Sequence, residues 1–153
     1  MNNITKLFWD KYKEENGLAN IEASAWQFGA DPDELARLVA EGKKTGTCSL
    51  HKLYEIDGEL LPQVGQYDII LNKEDMPVAI IQTKKVEIEQ MDKVSEAFAI
   101  SEGEGDGTYQ YWWDAHVEFF SKIVKEYEDV AFDTSDKLVC ETFEVVALYN
   151  DYK

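Results

Sequence analysis

The chain opens on a helical period. Ile4, Leu7, Phe8 and Tyr12 recur at helix spacing with charged residues between them, so an amphipathic first helix is expected, closing at Gly17. A short apolar stretch then surrounds Trp26 and Phe28. The next helix carries its own start and stop signals: Asp31 as N-cap, Pro32 in the first position, Glu34 in the third and Gly42 beyond the last turn. Leu35, Leu38 and Val39 supply its buried face, and its end delivers Lys43, Lys44 and Thr45 into a loop beside the negative end of the helix dipole.

After Gly42 the period shifts towards two, with strands expected over residues 47–54, 66–71, 78–89 and 138–148. Asp57-Gly58, residues 62–65 and residues 72–77 are turn signals between the earlier strands. Between the last two strands lie helices expected over 92–101 and 108–127, joined by a Gly-rich acidic loop, 102–107. No internal repeat or Pro/Ser-rich linker divides the chain, so residues 1–153 are expected as one domain, with 1–25 as a helical N-terminal extension. The fold class is α+β: helices around a small, mostly antiparallel sheet or barrel.

Composition narrows the partners. With 153 residues and 44% hydrophobic positions the chain can bury a core, and 31 acidic against 15 basic residues give a formal charge of −16. That field repels polyanions and counts against duplex DNA, while leaving room for a small neutral ligand or a short RNA held by a local basic patch. The longest apolar run, residues 145–149, is far short of a membrane span, and the N-terminus has no apolar signal core, so a cytoplasmic location is expected. Cys48 and Cys140 form no CxxC or Cys/His zinc pattern; reduced thiols, no metal and no cofactor are expected.

Within this acidic chain, residues 42–54 hold three lysines, Lys43, Lys44 and Lys52, and no acid, together with Thr45, Thr47, Cys48, Ser49 and His51. A solvated loop leading to an edge strand explains such a window, since lysines deter edge pairing. The chemical reading is a partly buried lysine whose lowered pKa lets it act as a base towards a hydroxyl three residues on, a spacing met by Lys44 and Thr47 with Gly46 allowing the turn. In the acidic loop, alternating carboxylates resemble the opening of a calcium loop, but the twelfth position counted from Glu102 is Trp113 rather than a bidentate Glu, which argues against a calcium hand. Glu104 and Asp106 read as a solvated connection with Thr108 capping the next helix, and Glu102 as the acid that points inwards. Trp112, Trp113, His116, Phe119, Phe120, Ile123 and Val124 share one helical face suited to core packing, with His116 at its edge. Tyr109, Tyr111 and the other side of that helix offer rings for a stacked base.

Phe28-Gly29, the segment 35–39 and Gly42-Lys43-Lys44-Thr45-Gly46-Thr47 are followed in order by Pro62-Gln63-Val64-Gly65, residues 77–83 and 99–106, Tyr111-Trp112 with His116 and Phe119-Phe120, and Val139-Cys140-Glu141 with Phe143. This series resembles the ASCH domain, the activating signal cointegrator homology domain, over roughly residues 26–148. The resemblance implies a PUA-like β-barrel with a cleft at the G-x-K-x-x-T segment and an RNA-binding or RNA-processing role. One bacterial branch of the family releases acetate from N4-acetylcytidine with a lysine, a threonine three residues later and a distant glutamate, which fall here on Lys44, Thr47 and Glu102. Lys43, Thr45, Ser49, His51, Tyr111, Trp112 and His116 are the expected ligand contacts. The chain departs from the family at Trp113 and Thr142, where arginine is common, which weakens a phosphate-binding surface. The expected function is an amidohydrolase acting on a small nucleoside; the alternatives are a single-stranded RNA or nucleotide-binding module and a ribonuclease.

Overall fold

Two long antiparallel strands carry the architecture of the computed structural model, which describes residues 1–153. They are β4 (Pro77–Gln90) and β5 (Lys137–Leu148), paired from Ala79↔Leu148 to Gln90↔Lys137 with irregularities near Ile80 and Thr83. β3 (Tyr67–Leu71) joins the free side of β4, and β1 (Ala23–Gln27) lies parallel to β3. β2 (Gly46–Leu50) runs antiparallel to β5, so the sheet order is β1-β3-β4-β5-β2, with β1 and β2 as edges. The sheet curls into the five-strand half-barrel of a PUA-like α+β fold.

Helices seal the sheet in three places. α1 (Asn3–Asn16) packs Phe8, Trp9 and Tyr12 against Ile69, Leu71 and Ile80. α2 (Pro32–Ala40) starts on the Asp31 side chain and buries Leu35, Leu38 and Val39 against Ile70, Ile81 and Phe143. α4 (Glu96–Ser101) and α5 (Tyr109–Ile123) enclose the third cluster, where Trp112, Phe120 and Met91 meet Leu50 and Leu138. No helix is long and apolar enough to cross a membrane.

Several expectations change. In α1 the stripe Thr5, Phe8, Trp9 and Tyr12 turns inward, whereas Ile4 and Leu7 are exposed, because the rings of Trp9 and Tyr12 bury more apolar area than the aliphatic alternative. β1 begins at Ala23, inside the segment expected as helical extension. The strand expected over 47–54 stops at Leu50, and α3 (His51–Asp57) follows, closed by Gly58 in the left-handed region at φ 68°. Leu50 and Leu53, both buried, sit three apart and drive that helical turn. The helix expected over 92–101 splits into a 3₁₀ turn, Met91–Lys93, and α4, whose N-cap is Ser95.

Candidate functional site

The site forms where two backbone segments press together. After α2, the amides of Lys43 and Lys44 both donate to the Leu38 carbonyl, at 2.9 and 3.1 Å. The Thr45 amide then donates to Ser101 of α4 at 2.8 Å, and the Thr45 carbonyl accepts from Phe143 of β5 at 3.0 Å. Glu102 caps the end of α4, and Gly103 follows at φ +67°; a Cβ on Gly103 would collide with the Lys43 carbonyl. The close approach thus requires glycine, and it sets the side chains of Lys44 and Glu102 face to face.

Lys44 and Glu102 are each 1% exposed. Lys44 Nζ donates to Glu102 Oε1 at 2.9 Å and to Glu104 Oε2 at 3.1 Å, and it lies 5.3 Å from the centre of the Phe28 ring. The second oxygen of Glu102 accepts from Trp112 Nε1 at 2.6 Å and from the Cys48 thiol at 3.2 Å, with His116 Nε2 at 3.4 Å. His116 Nδ1 lies 2.7 Å from the Trp112 carbonyl, an acceptor only, so that nitrogen carries a proton.

Burial alone would pull Lys44 below its ordinary pKa, but Glu102 and Glu104 outweigh it and hold the lysine above that value. Burial pushes Glu102 up, while Lys44, His116 and Trp112 together hold its carboxyl well below the carboxylate range. His116 is lowered by burial yet raised overall by Glu102, and burial and Glu102 push the Cys48 thiol far up. The expectation of a lysine with lowered pKa is therefore corrected: Lys44 is an ammonium, fixed by two carboxylates.

A cavity of ≈ 100 Å³ opens onto this cluster, lined by Phe28, Lys44, Thr47, Cys48, Glu102 and His116 among others. Two grooves flank it. One, of ≈ 820 Å³, runs between the edge strands β1 and β2 and reaches Asp68 and Glu141; the other, of ≈ 660 Å³, lies between α2 and α5. Phe119 borders all three spaces and presses on Gly29, where a Cβ would stand 2.7 Å from its ring.

Of the residues expected at the site, Lys44, Thr47, Glu102 and His116 line the inner cavity, and Trp112 reaches it through Glu102. Thr47 makes no hydrogen bond to Lys44, whose bonds go to Glu102 and Glu104. Ser49 lines the outer groove, bonded to the Tyr54 hydroxyl at 2.8 Å. Tyr111 borders the groove beside α2. Three are elsewhere. Lys43 is exposed and paired with Glu41 at 3.0 Å, Thr45 bonds the Ser101 carbonyl, and His51 stands at the start of α3. Glu104, read as solvated, instead grips Lys44, because Gly103 and Gly105, both at positive φ, turn the loop back over the lysine. Cys48 and Glu104 were the chemical residues that spacing alone did not assign; the lysine window and the Gly-rich acidic loop were their only signals. The donor atoms of Cys48, Glu102 and His116 lie within 4.8 Å of one another, a distance that suits a metal, but the ammonium already on Glu102 opposes a second cation.

The ASCH domain pattern matches residues 24–147. The chain belongs to the ASCH domain family. ASCH domains are RNA-related. This ASCH domain is similar to the crystal structure of a protein from Enterococcus faecalis V583, at 40% identity and TM-score 0.87, covering 97% of this chain and 96% of that one. It is also similar to an ASCH domain from Lactobacillus crispatus JV V101, at 36% identity and TM-score 0.89, covering 95% and 96%. No curated protein matches the sequence.

Proposed function

We propose that this ASCH domain hydrolyses the amide of a compact acylated nucleoside of the N4-acetylcytidine type. The observation that carries the reading is the fully buried Lys44, fixed by Glu102 and Glu104 at a small cavity edged by Thr47. In this reading Thr47 attacks the acyl carbon. Lys44 commits two of its three ammonium protons to carboxylates, and the third stabilises the developing oxyanion. Glu102 positions Lys44, and its bonds from Trp112, Cys48 and His116 fix the carboxylate in turn. Burial keeps this charge array out of water, where its electrostatic effect is greatest.

A neutral nucleoside fits the surroundings better than an RNA strand. Lys43 and Lys52, the cations available for phosphate, are paired with Glu41 at 3.0 Å and Asp136 at 2.7 Å. No Lys, Arg or His lines the groove between β1 and β2. Acetate release from N4-acetylcytidine by wild type, Lys44→Ala and Thr47→Ala tests the reading. Each variant should lose about 10²–10³-fold in kcat, the scale of one oxyanion stabiliser or more; equal turnover by wild type and Lys44→Ala overturns it.

A further inference from the structure

Glu141 has no role in the chemistry above, yet its place in the sheet gives it one. It lies on β5 directly opposite Thr47 of β2. Directly opposed residues of an antiparallel pair share a face with Cβ atoms roughly 4.5–5.5 Å apart, within reach of a glutamate arm. Cys48, the next residue along β2, gives its thiol to Glu102, and Cys48 and Thr47 each border both the inner cavity and the outer groove. Thr47 and Glu141 accordingly both border the ≈ 820 Å³ groove.

Glu141 is half-buried and has no cation beside it. It is faced by Asp68 from β3, the Thr83 hydroxyl from β4, Tyr54 from α3 and Thr47 from β2. Asp68 is itself buried, its oxygens accepting from Trp26 Nε1 at 3.0 Å and Gln66 Nε2 at 2.8 Å. Burial, and then the Asp68 charge, push the Glu141 carboxyl up to about 7, the range in which a base can both take and return a proton. Lys44 is held charged and has no lone pair to offer.

We propose that Glu141 is the base that activates Thr47. This rests on the reading of the site as an acyl-amide hydrolase. The Thr47 hydroxyl gives its proton to the Glu141 carboxylate while its oxygen bonds to the acyl carbon, and the carbonyl π pair moves to the oxygen beside Lys44. As the carbonyl re-forms, the C–N bond breaks and the Glu141 proton passes to the leaving nitrogen. Water then gives a proton to Glu141 and attacks the acyl-threonine; the acid departs and the proton returns to the Thr47 oxygen.

The test is acetylation of Thr47 by p-nitrophenyl acetate, located by peptide mass mapping from about pH 5 to 9 in wild type, Glu141→Gln and Asp68→Asn, with circular dichroism to check the fold. The wild-type rate should rise through a midpoint near 7. Glu141→Gln should be slowed at least ~100-fold with that rise gone, and Asp68→Asn should move the midpoint down because it removes the charge that raises Glu141. Equal rates and pH profiles in wild type and a folded Glu141→Gln overturn the proposal, as does a wild type that at no pH is acetylated at Thr47 or releases p-nitrophenolate faster than Thr47→Ala. N4-acetylcytidine turnover in the same samples separates the two readings: no turnover with Thr47 acetylation intact removes the substrate and keeps the base.

Discussion

Replacing Lys44 by methionine preserves an unbranched arm but removes the ammonium on which two carboxylates converge. Glu104, with 17% of its side chain exposed, can turn to water, whereas Glu102, with 2%, cannot. Glu102 would keep its Trp112 and Cys48 donors and lose its cation. Removing one partner of a buried pair costs about 3–5 kcal/mol, and the remaining donors put this case near about 3 kcal/mol. At about 2–4 °C per kcal/mol for a domain of this size, the melting temperature should fall by roughly 6–12 °C. The loss depends on pH in a defined direction. The Glu102 carboxyl is held below its ordinary value of 4.5 in the fold, so its stabilising share is present above that value and is lost as pH falls through the lower folded one. The gap between wild type and variant should be full at neutral pH and close in acid. Urea unfolding followed by far-UV circular dichroism reads it as a lowered midpoint with unchanged slope. A neutral-pH loss under about 1 kcal/mol would refute a buried, charged pair. So would a Lys44→Met, Glu102→Gln double variant no more stable than Lys44→Met, since a neutral replacement of both partners should recover most of the loss.

Other outcomes follow from neighbouring groups. His116 is raised above 6.5 in the fold, so its share of stability is full below that pH and lost as pH rises through the folded value; Glu141 adds the same decline up to about 7 to both proteins, so thermal melts should fall more steeply in wild type than in His116→Gln. Gly103→Ala meets left-handed strain of about 1–3 kcal/mol before its collision with Lys43 is counted, so a melting temperature within error of wild type would contradict the backbone contact. Phe119→Ala joins the inner cavity to both grooves, and alkylation of Cys48 by iodoacetamide should speed up several-fold; an unchanged rate would mean that the ring does not gate the site. A fluorescent single-stranded RNA should show no salt-sensitive binding, and steep salt-dependent association would contradict the neutral-ligand reading.

How legible each part was in the sequence depended on the range of the interactions that fix it. α2 was readable because Asp31, Pro32 and Glu34 act within one turn, and β4 and β5 because they are long enough to show their period. β1 was not, since Ala23, Ser24 and Ala25 are too small to make an alternation and its partner β3 lies more than forty residues on. Residues 51–54 fold as helix rather than strand because Leu50 and Leu53, three apart, cannot share one strand face, yet both are buried in the cluster under α5. At the site, composition marked the lysine window, but the pairing of Lys44 with Glu102 came from the family resemblance. The sign of the Lys44 shift was illegible because it depends on two carboxylates brought from 58 and 60 residues away. Glu141 entered only as part of the Val139-Cys140-Glu141 motif, with no role of its own, because its partner Asp68 lies more than seventy residues away in the chain.

The half-barrel stops one pairing short of closure. β1 bonds only to β3 and β2 only to β5, and the large groove is the gap between these two edges. Along each edge, the outward amides and carbonyls of the main chain have no strand to meet. The polarity of the groove is thus partly a property of the backbone, common to any sequence that keeps the two edges apart. Alanine scanning across the lining would strip its carboxyls and hydroxyls and still leave a hydrogen-bonding rim, whereas exchanging a single amide for an ester in β1 or β2 would alter that rim with every side chain intact.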